Sequence, residues 1–261
     1  FISEELFRTL DFEAMGISSN LGFLILIASF LPSFFGLFFA KVFHKRPFLS
    51  FVTSRSKLDF KRIGFAVLVW GGILLITTIA DYFIDPENYI ISFNPQSYFW
   101  LVLIAIIFFP FQIAFEEVFF RGYLYQLFGN LFKYPVLSWI ITSVLFGLIH
   151  ATNPEVKMYG FFVMMPGYIL LGMFLGLITI LDDGLELALG VHLINNLFLG
   201  IGVNYAGSAI KVSSAFQVLT IDPSSNWYGI IISGSIFTFL AWKKYKFSGF
   251  KKLLIPYQKS I

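Results

Sequence analysis

The chain has 261 residues, of which 57% are hydrophobic, 20% aromatic and only 13% charged, at a mean hydropathy of +0.81. A soluble domain carries about 25% charged residues, so this composition excludes an ordinary soluble enzyme and points to an integral membrane protein. The net charge of +3 says little by itself, and the lack of any cysteine excludes disulfides, thiolate nucleophiles and cysteine metal ligands.

Several apolar runs reach the roughly 20 residues that a helix needs to cross a bilayer, so an all-α polytopic bundle of about seven transmembrane helices is expected rather than a barrel. Residues 1–20 form an acidic, mixed segment in which Leu6, Phe7, Leu10 and Ala14 outline a short interfacial helix. It has neither a basic n-region nor a small-residue cleavage site, so no signal peptide is read. Residues 21–97 hold the first two spans, 21–43 and 63–83, joined by a basic loop. Residues 98–203 hold four more: an unusually long run at 98–128, where Pro110 is expected to kink or split the helix, then 135–152, 158–181 and 185–203. Residues 204–226 read as a polar loop, an outer cap or short hairpin. The last span is expected at 227–242, with a basic tail completing the 204–261 segment.

Orientation follows from Lys and Arg near span ends. Lys41, Lys45, Arg46, Arg55, Lys57, Lys61 and Arg62 lie in the first loop, and Lys243, Lys244, Lys246, Lys251, Lys252 and Lys259 lie in the tail. Both are expected on the cytoplasmic side, and seven spans place them there together. No nucleic-acid partner is expected, membrane lipids are, and the sequence does not state an oligomeric order. Gly71, Gly72, Gly172 and Gly176 read as points of close helix approach. Trp100, Trp227 and Trp242 read as interfacial anchors, and His44 as solvated.

Chemistry concentrates in a few residues inside the spans. A charge at mid-bilayer costs at least about 2.5–3.5 kcal/mol on insertion scales, so Glu116, Glu117 and Arg121 within one apolar run need partners or a purpose. Glu117 and Arg121 are four apart and share a helical face, whereas Glu116 points about 100° away. The pair reads as mutual neutralisation, which leaves Glu116 as the free acid. The same four-residue spacing recurs in Phe146 and His150 and in His192 and Asn196. Counted at about 1.5 Å per residue from turns at 129–134 and 182–184, Glu116 lies roughly 20 Å deep, His150 roughly 22 Å, His192 roughly 12 Å and Asn196 roughly 18 Å. Three helices can therefore bring Glu116, His150, His192 and Asn196 to one level of the membrane.

This order of motifs, E-E-x-x-x-R, then F-x-x-x-H, then H-x-x-x-N, resembles the CAAX protease and bacteriocin-processing family, also called Abi, of intramembrane glutamic endopeptidases. The resemblance covers about 98–203. It implies that Glu116 and His150 activate a water for attack on a peptide bond, that His192 and Asn196 stabilise the oxyanion, and that Glu117, Arg121 and Phe146 support the site. It also implies a substrate that is a hydrophobic, lipidated or membrane-embedded peptide or protein.

The residues by themselves point the same way. No Ser or Thr lies four from either motif histidine, so a carboxylate general base and an imidazole holding one water is the available mechanism. An imidazole N–H and an amide N–H are suitable oxyanion donors. Cofactors are expected to be none. Two histidines and a glutamate are also a known zinc set, although no H-E-x-x-H helix is present, and zinc stays open. Processing of prenylated CAAX proteins is the alternative substrate class. Non-enzymatic readings are a transporter, against which no inverted repeat is visible, and an immunity or scaffold protein. The Phe-rich, cysteine-free composition suggests a bacterial cell membrane.

Overall fold

Within lipid every backbone N–H and C=O must be satisfied inside the segment, and this chain answers with helices. The computed structural model describes residues 12, 15–205, 207–247 and 249–256. The interfacial helix expected around Leu6, Phe7, Leu10 and Ala14 lies outside the described residues. The first span, 26 residues from Ser19 to His44, is built of three pieces, α1 (Ser19–Ala28), α2 (Phe30–Gly36) and α3 (Phe39–His44). It stops at Lys45, whose φ of 50° is left-handed. The second, α4 (Phe60–Ile84), starts where Asp59 accepts a hydrogen bond from the Lys61 amide, relieving one of the unpaired N–H groups of the first turn.

The long third run is a single 38-residue path, Pro95–Phe132. Asn94 caps it through the Ser97 amide, and Pro95 occupies a first-turn position where no N–H is needed. Pro110 does not split the helix. α5 continues past it to Glu117 (Pro95–Glu117), and the irregularity falls at Val118–Leu124, a π-helical stretch, before α6 (Tyr125–Phe132). Such stretches often mark functional sites.

The next helix, α7 (Pro135–Leu148), is shorter than the sequence suggests and ends before His150 rather than at Thr152. A short α8 (Pro154–Tyr159) precedes α9 (Phe161–Asp182), which the left-handed Asp183 terminates. α10 (Glu186–Leu197) runs into a second π-helical turn at Phe198–Gly202. The last helix, α11 (Pro223–Tyr245), is capped by Asp222 on the Ser224 amide. Helix is thus present at each of the seven expected spans. Four of these are long and apolar enough to cross a membrane; α7 and 186–202 are shorter apolar helices. α11 is long enough but opens with Ser224, Ser225 and Asn226 and closes with Lys243 and Lys244.

The 204–226 loop contributes to a small sheet and is not a hairpin. β1 (Tyr89–Ile91) pairs antiparallel with β3 (Phe216–Val218), and β2 (Val203–Tyr205) pairs parallel with β3. Asn88 ties the two loops further through bonds to the Thr220 carbonyl, amide and hydroxyl.

At the other end of the bundle, charges pair. Arg55 bonds Glu186 at 3.0 Å and the Asp182 carbonyl at 2.6 Å, Arg62 pairs with Asp182, and Lys252 with Asp183. Arg46 reaches Gln126 at 3.0 Å. The basic loop, the start of α6 and the α9–α10 turn therefore share one end.

The main core is aromatic and aliphatic, with Trp70, Phe120, Phe146, Phe174, Leu175, Ile178, Val191 and Phe237 buried together. α10 packs most extensively on α4, and α9 on α7 and α11. Phe43, Leu68, Phe83 and Phe162 remain outward and exposed, as lipid-facing side chains should be.

Gly190 sets the α10–α4 approach, because a Cβ there would meet the Ile63 carbonyl at 2.5 Å and the Ala66 Cβ at 2.6 Å. Gly71 faces Ile194, but Gly72 has open space around its Cβ position and does not serve as a contact. Gly190→Ala is expected to destabilise by about 1–3 kcal/mol, whereas Gly72→Ala leaves stability unchanged or raises it slightly. Thermal unfolding in detergent measures both, and equal midpoints for the two variants contradict this packing.

Candidate active site

The last turn of α5 points two adjacent carboxylates in different directions. Glu117, fully buried, accepts on Oε1 from Arg121 NH1 at 2.9 Å and from His192 Nδ1 at 2.7 Å. Arg121 also donates from NH2 to the Gly172 carbonyl at 3.1 Å, and its guanidinium lies 4.2 Å above the Phe146 ring. Only glycine fits at 172, since a Cβ would meet the Ser143 carbonyl at 2.9 Å and the Phe146 ring at 3.1 Å. The expected Glu117–Arg121 pair is present, with a third member that the spacing did not indicate, His192.

Glu116 turns to the other side. Its Oε1 accepts from Gln112 Nε2 at 2.9 Å, one turn earlier on the same helix. Its Oε2 has no hydrogen-bond partner and lies 3.7 Å from His192 Nε2. Because Nδ1 of His192 faces a carboxylate oxygen, that nitrogen carries the proton, and Nε2 is the atom presented to Glu116.

His150 stands just past the end of α7. The amide of His150 turns back to the Gly147 carbonyl, so the Phe146 carbonyl accepts from His150 Nδ1 at 2.8 Å instead. A carbonyl only accepts, so Nδ1 holds a hydrogen, and in the neutral ring Nε2 has the lone pair. The ring stacks on Tyr168, with centroids 4.5 Å apart at 18°. Phe146 sits between the two imidazoles, 5.1 Å from His150 and 5.8 Å from His192.

Glu116, His150, His192 and Asn196 line one cavity of about 540 Å³. Apolar side chains of the first span, Phe23 and Ile27 of α1 and Phe30 of α2, form part of its wall, and Tyr205, Ile210 and Asp222 of the chain after α10 close it. A wider cavity of about 930 Å³ opens at the basic end beside Arg46, Arg55 and Lys252, and of the motif residues only Arg121 borders it. His44 and Tyr123 meet there at 3.3 Å, away from the site. Asp222 keeps its carboxyl below the usual carboxylate range because the Ser224 hydroxyl and amide bond it.

Gln112, Glu155 and Tyr168 also line the cavity and were not singled out by sequence. Gln112 was findable, four residues before Glu116; the others are brought in by tertiary contact alone. Among the described residues, no three His, Asp or Glu side chains gather as a metal-ligand set.

Residues 95–198, which include every motif residue, match the family described as type II CAAX prenyl endopeptidase Rce1-like. Over these residues the chain is similar to the Rce1-like family. An uncharacterized protein of Bacillus subtilis (strain 168), YyaK, is 32% identical over 199 residues, covering 76% of this chain and 66% of the relative. The chain thus spans just under two thirds of that relative's length. No solved structure matches it. The Rce1-like match and the four apolar helices together make this an integral membrane protein.

In this chain the Arg121 guanidinium neutralises a carboxylate with no access to water. Arg121→Ala is expected to destabilise by about 3–5 kcal/mol, the cost of orphaning a buried partner. Arg121→Lys does not restore stability, since one ammonium does not reproduce the forked reach to Glu117 and Gly172. Thermal unfolding reads both, and a wild-type midpoint for Arg121→Lys contradicts the two-donor role.

Proposed function

We propose that the chain is an intramembrane peptidase that hydrolyses peptide bonds of hydrophobic, lipidated or membrane-embedded substrates with a water activated by Glu116 and His150. The observation that carries this reading is that Glu116, whose Oε2 has no hydrogen-bond partner, lines the same cavity as His150, inside an apolar bundle similar to a family described as endopeptidases.

A water between the two groups donates one hydrogen to Glu116 Oε2 and the other to the lone pair of His150 Nε2. Its own lone pair is then aimed at a peptide carbonyl. Glu116 takes the proton as the C–O bond forms and returns it to the leaving amine as the C–N bond breaks. The developing oxyanion needs donors. The Asn196 amide is one, and His192 Nε2–H is another when the ring is doubly protonated, a form for which the Glu117 carboxylate is the counter-ion. Gln112 keeps Glu116 oriented through Oε1.

The mechanism is metal-free, with no cofactor. The zinc alternative, with Glu116 and the two histidines as ligands, has no gathered ligand set behind it among the described residues. Substrates enter the cavity sideways from the bilayer past the α1 wall. Peptide or membrane-protein cleavage is preferred over prenyl-protein processing. A bacterial cell membrane, with the basic end cytoplasmic, fits the charge asymmetry.

Cleavage of a library of hydrophobic and lipidated peptides by the purified protein in detergent tests this. Glu116→Gln and His150→Ala are each expected to lose about 10²–10⁴-fold in kcat, the range for a positioned acid–base group, with unchanged unfolding midpoints. If both variants cut as well as wild type, the assignment of the site to Glu116 and His150 is wrong; if the wild type cuts none of the peptides, the peptidase reading is wrong. Chelators are expected to leave activity intact; loss of bound zinc together with activity would replace the metal-free mechanism by the zinc one.

A further inference from the structure

His150 is pinned at one point by its Nδ1 bond to the Phe146 carbonyl. A single hydrogen bond leaves an imidazole free to pivot about that contact, and a pivot of the ring carries Nε2 away from the cavity. What opposes the pivot is the flat stack on Tyr168 at 4.5 Å and 18°.

Tyr168 is itself fixed at its far end. Its hydroxyl donates to Glu155 Oε1 and accepts from Asn153 Nδ2 at 3.1 Å, and Asn153 Nδ2 also approaches Glu155 Oε1 at 3.3 Å. Glu155 is 3% exposed, next in the chain to Val156 of a buried cluster with Met164 and Met165, so its carboxyl is held away from water. The segment after α7 thus grips Tyr168 twice, with His150 on the ring face and Glu155 on the hydroxyl.

We propose that Tyr168 is a positioning residue that sets the plane of His150, and that Glu155 with Asn153 is the clamp that holds Tyr168. This rests on the reading of His150 as a water-activating group. It gives a buried third acid of the cavity wall a role distinct from Glu116, since Glu155 acts on the ring stack and not on substrate.

The test uses the full chain in detergent with the cleaved peptide, measuring kcat and KM separately, alongside nitrogen NMR relaxation of histidine-labelled protein to follow how rigidly the His150 ring is held, without reference to activity. Tyr168→Ala is expected to lower kcat about 100-fold, as misplacement by an ångström does, with KM little changed. Tyr168→Phe keeps the ring but releases it from Glu155 and is expected to fall between wild type and Tyr168→Ala in kcat, whereas Glu155→Gln, which still accepts from the hydroxyl, is expected to stay near wild type. A rigid His150 ring is expected in wild type and Glu155→Gln, and a mobile one in Tyr168→Ala. Because Tyr168→Phe and Glu155→Gln are nearly isosteric, they remain readable if Tyr168→Ala fails to fold; Tyr168→Phe with wild-type kcat and an unmoved His150 signal overturns the clamp, and a loss as deep as that of His150→Ala in either overturns the stacking role. A Tyr168→Ala variant with wild-type kcat and a rigid His150 ring overturns the proposal while leaving the peptidase reading standing. An active His150→Ala variant sinks the reading of His150 as the water-activating group instead, and the relaxation data still report whether Tyr168 orders the ring.

Discussion

One carboxylate organises the centre of this bundle. Glu117 has no exposure, and its Oε1 accepts from both Arg121 and His192. Arg121 reaches on to the Gly172 carbonyl and lies over Phe146, so side chains and backbone from α5, the stretch after it, α7, α9 and α10 meet around one ion pair. In a bundle whose helices see lipid of equal apolarity outside, burial alone does not choose a register, and close contacts of small residues and polar groups do. Sliding any of these helices by a turn leaves a buried charge without its partner, at a cost of several kcal/mol. The pair therefore fixes the relative heights of the helices that carry the histidines.

That constraint explains why two adjacent glutamates differ so much. Glu117 is consumed by structure, and its bond to Nδ1 settles which nitrogen His192 shows to the cavity. Glu116, 100° further round the helix, is left with one oxygen tied to Gln112 and one untied. An untied buried acceptor is expensive in a finished core, and here it belongs to a residue that lines a cavity of about 540 Å³. The early end of α7 belongs to the same logic. At 14 residues it spans only about 21 Å, and the non-helical backbone that follows is tolerated because it lines the cavity rather than facing lipid. It also frees the Phe146 carbonyl for His150 Nδ1.

The four-residue spacings of Glu117 and Arg121 and of His192 and Asn196 were legible because a helix converts spacing into a shared face, whereas Phe146 and His150 meet because α7 ends at Leu148 and frees the Phe146 carbonyl for His150 Nδ1. The levels of Glu116, His150 and His192 were legible because both reference turns lie at the end where Arg46 meets Gln126 and Arg55 meets Glu186. What escaped depends on contacts that periodicity does not encode. Tyr168 and Glu155 carry no motif, and only the fold of the segment after α7 brings them to His150. Pro110 looked like the place for a break because it lacks an N–H, yet the irregular stretch lies at Val118–Leu124, beside the charges. Strands of three residues, such as Phe216–Val218, are too short to show alternation.

The two ends of the molecule are built on different terms. Paired charges close the basic end, with Asp182 and Glu186 buried under Arg55 and Arg62. The opposite end is closed by three strands of three residues and by side-chain bonds from Asn88 and Ser92. A sheet that small is marginal by itself, so it draws its stability from the helices beneath it. Local opening therefore costs least where the chain covers the cavity and most where the helices are cross-linked. Glu116, His192 and Asn196 stand on helices, and His150 just beyond the end of one, while Tyr205, Ile210 and Asp222 contribute the cover. A reacting group has to be placed to within a fraction of an ångström, whereas the approach to it only has to yield. Separating the two along the bundle axis lets the ion pair at Glu117 stay rigid without sealing the site it supports.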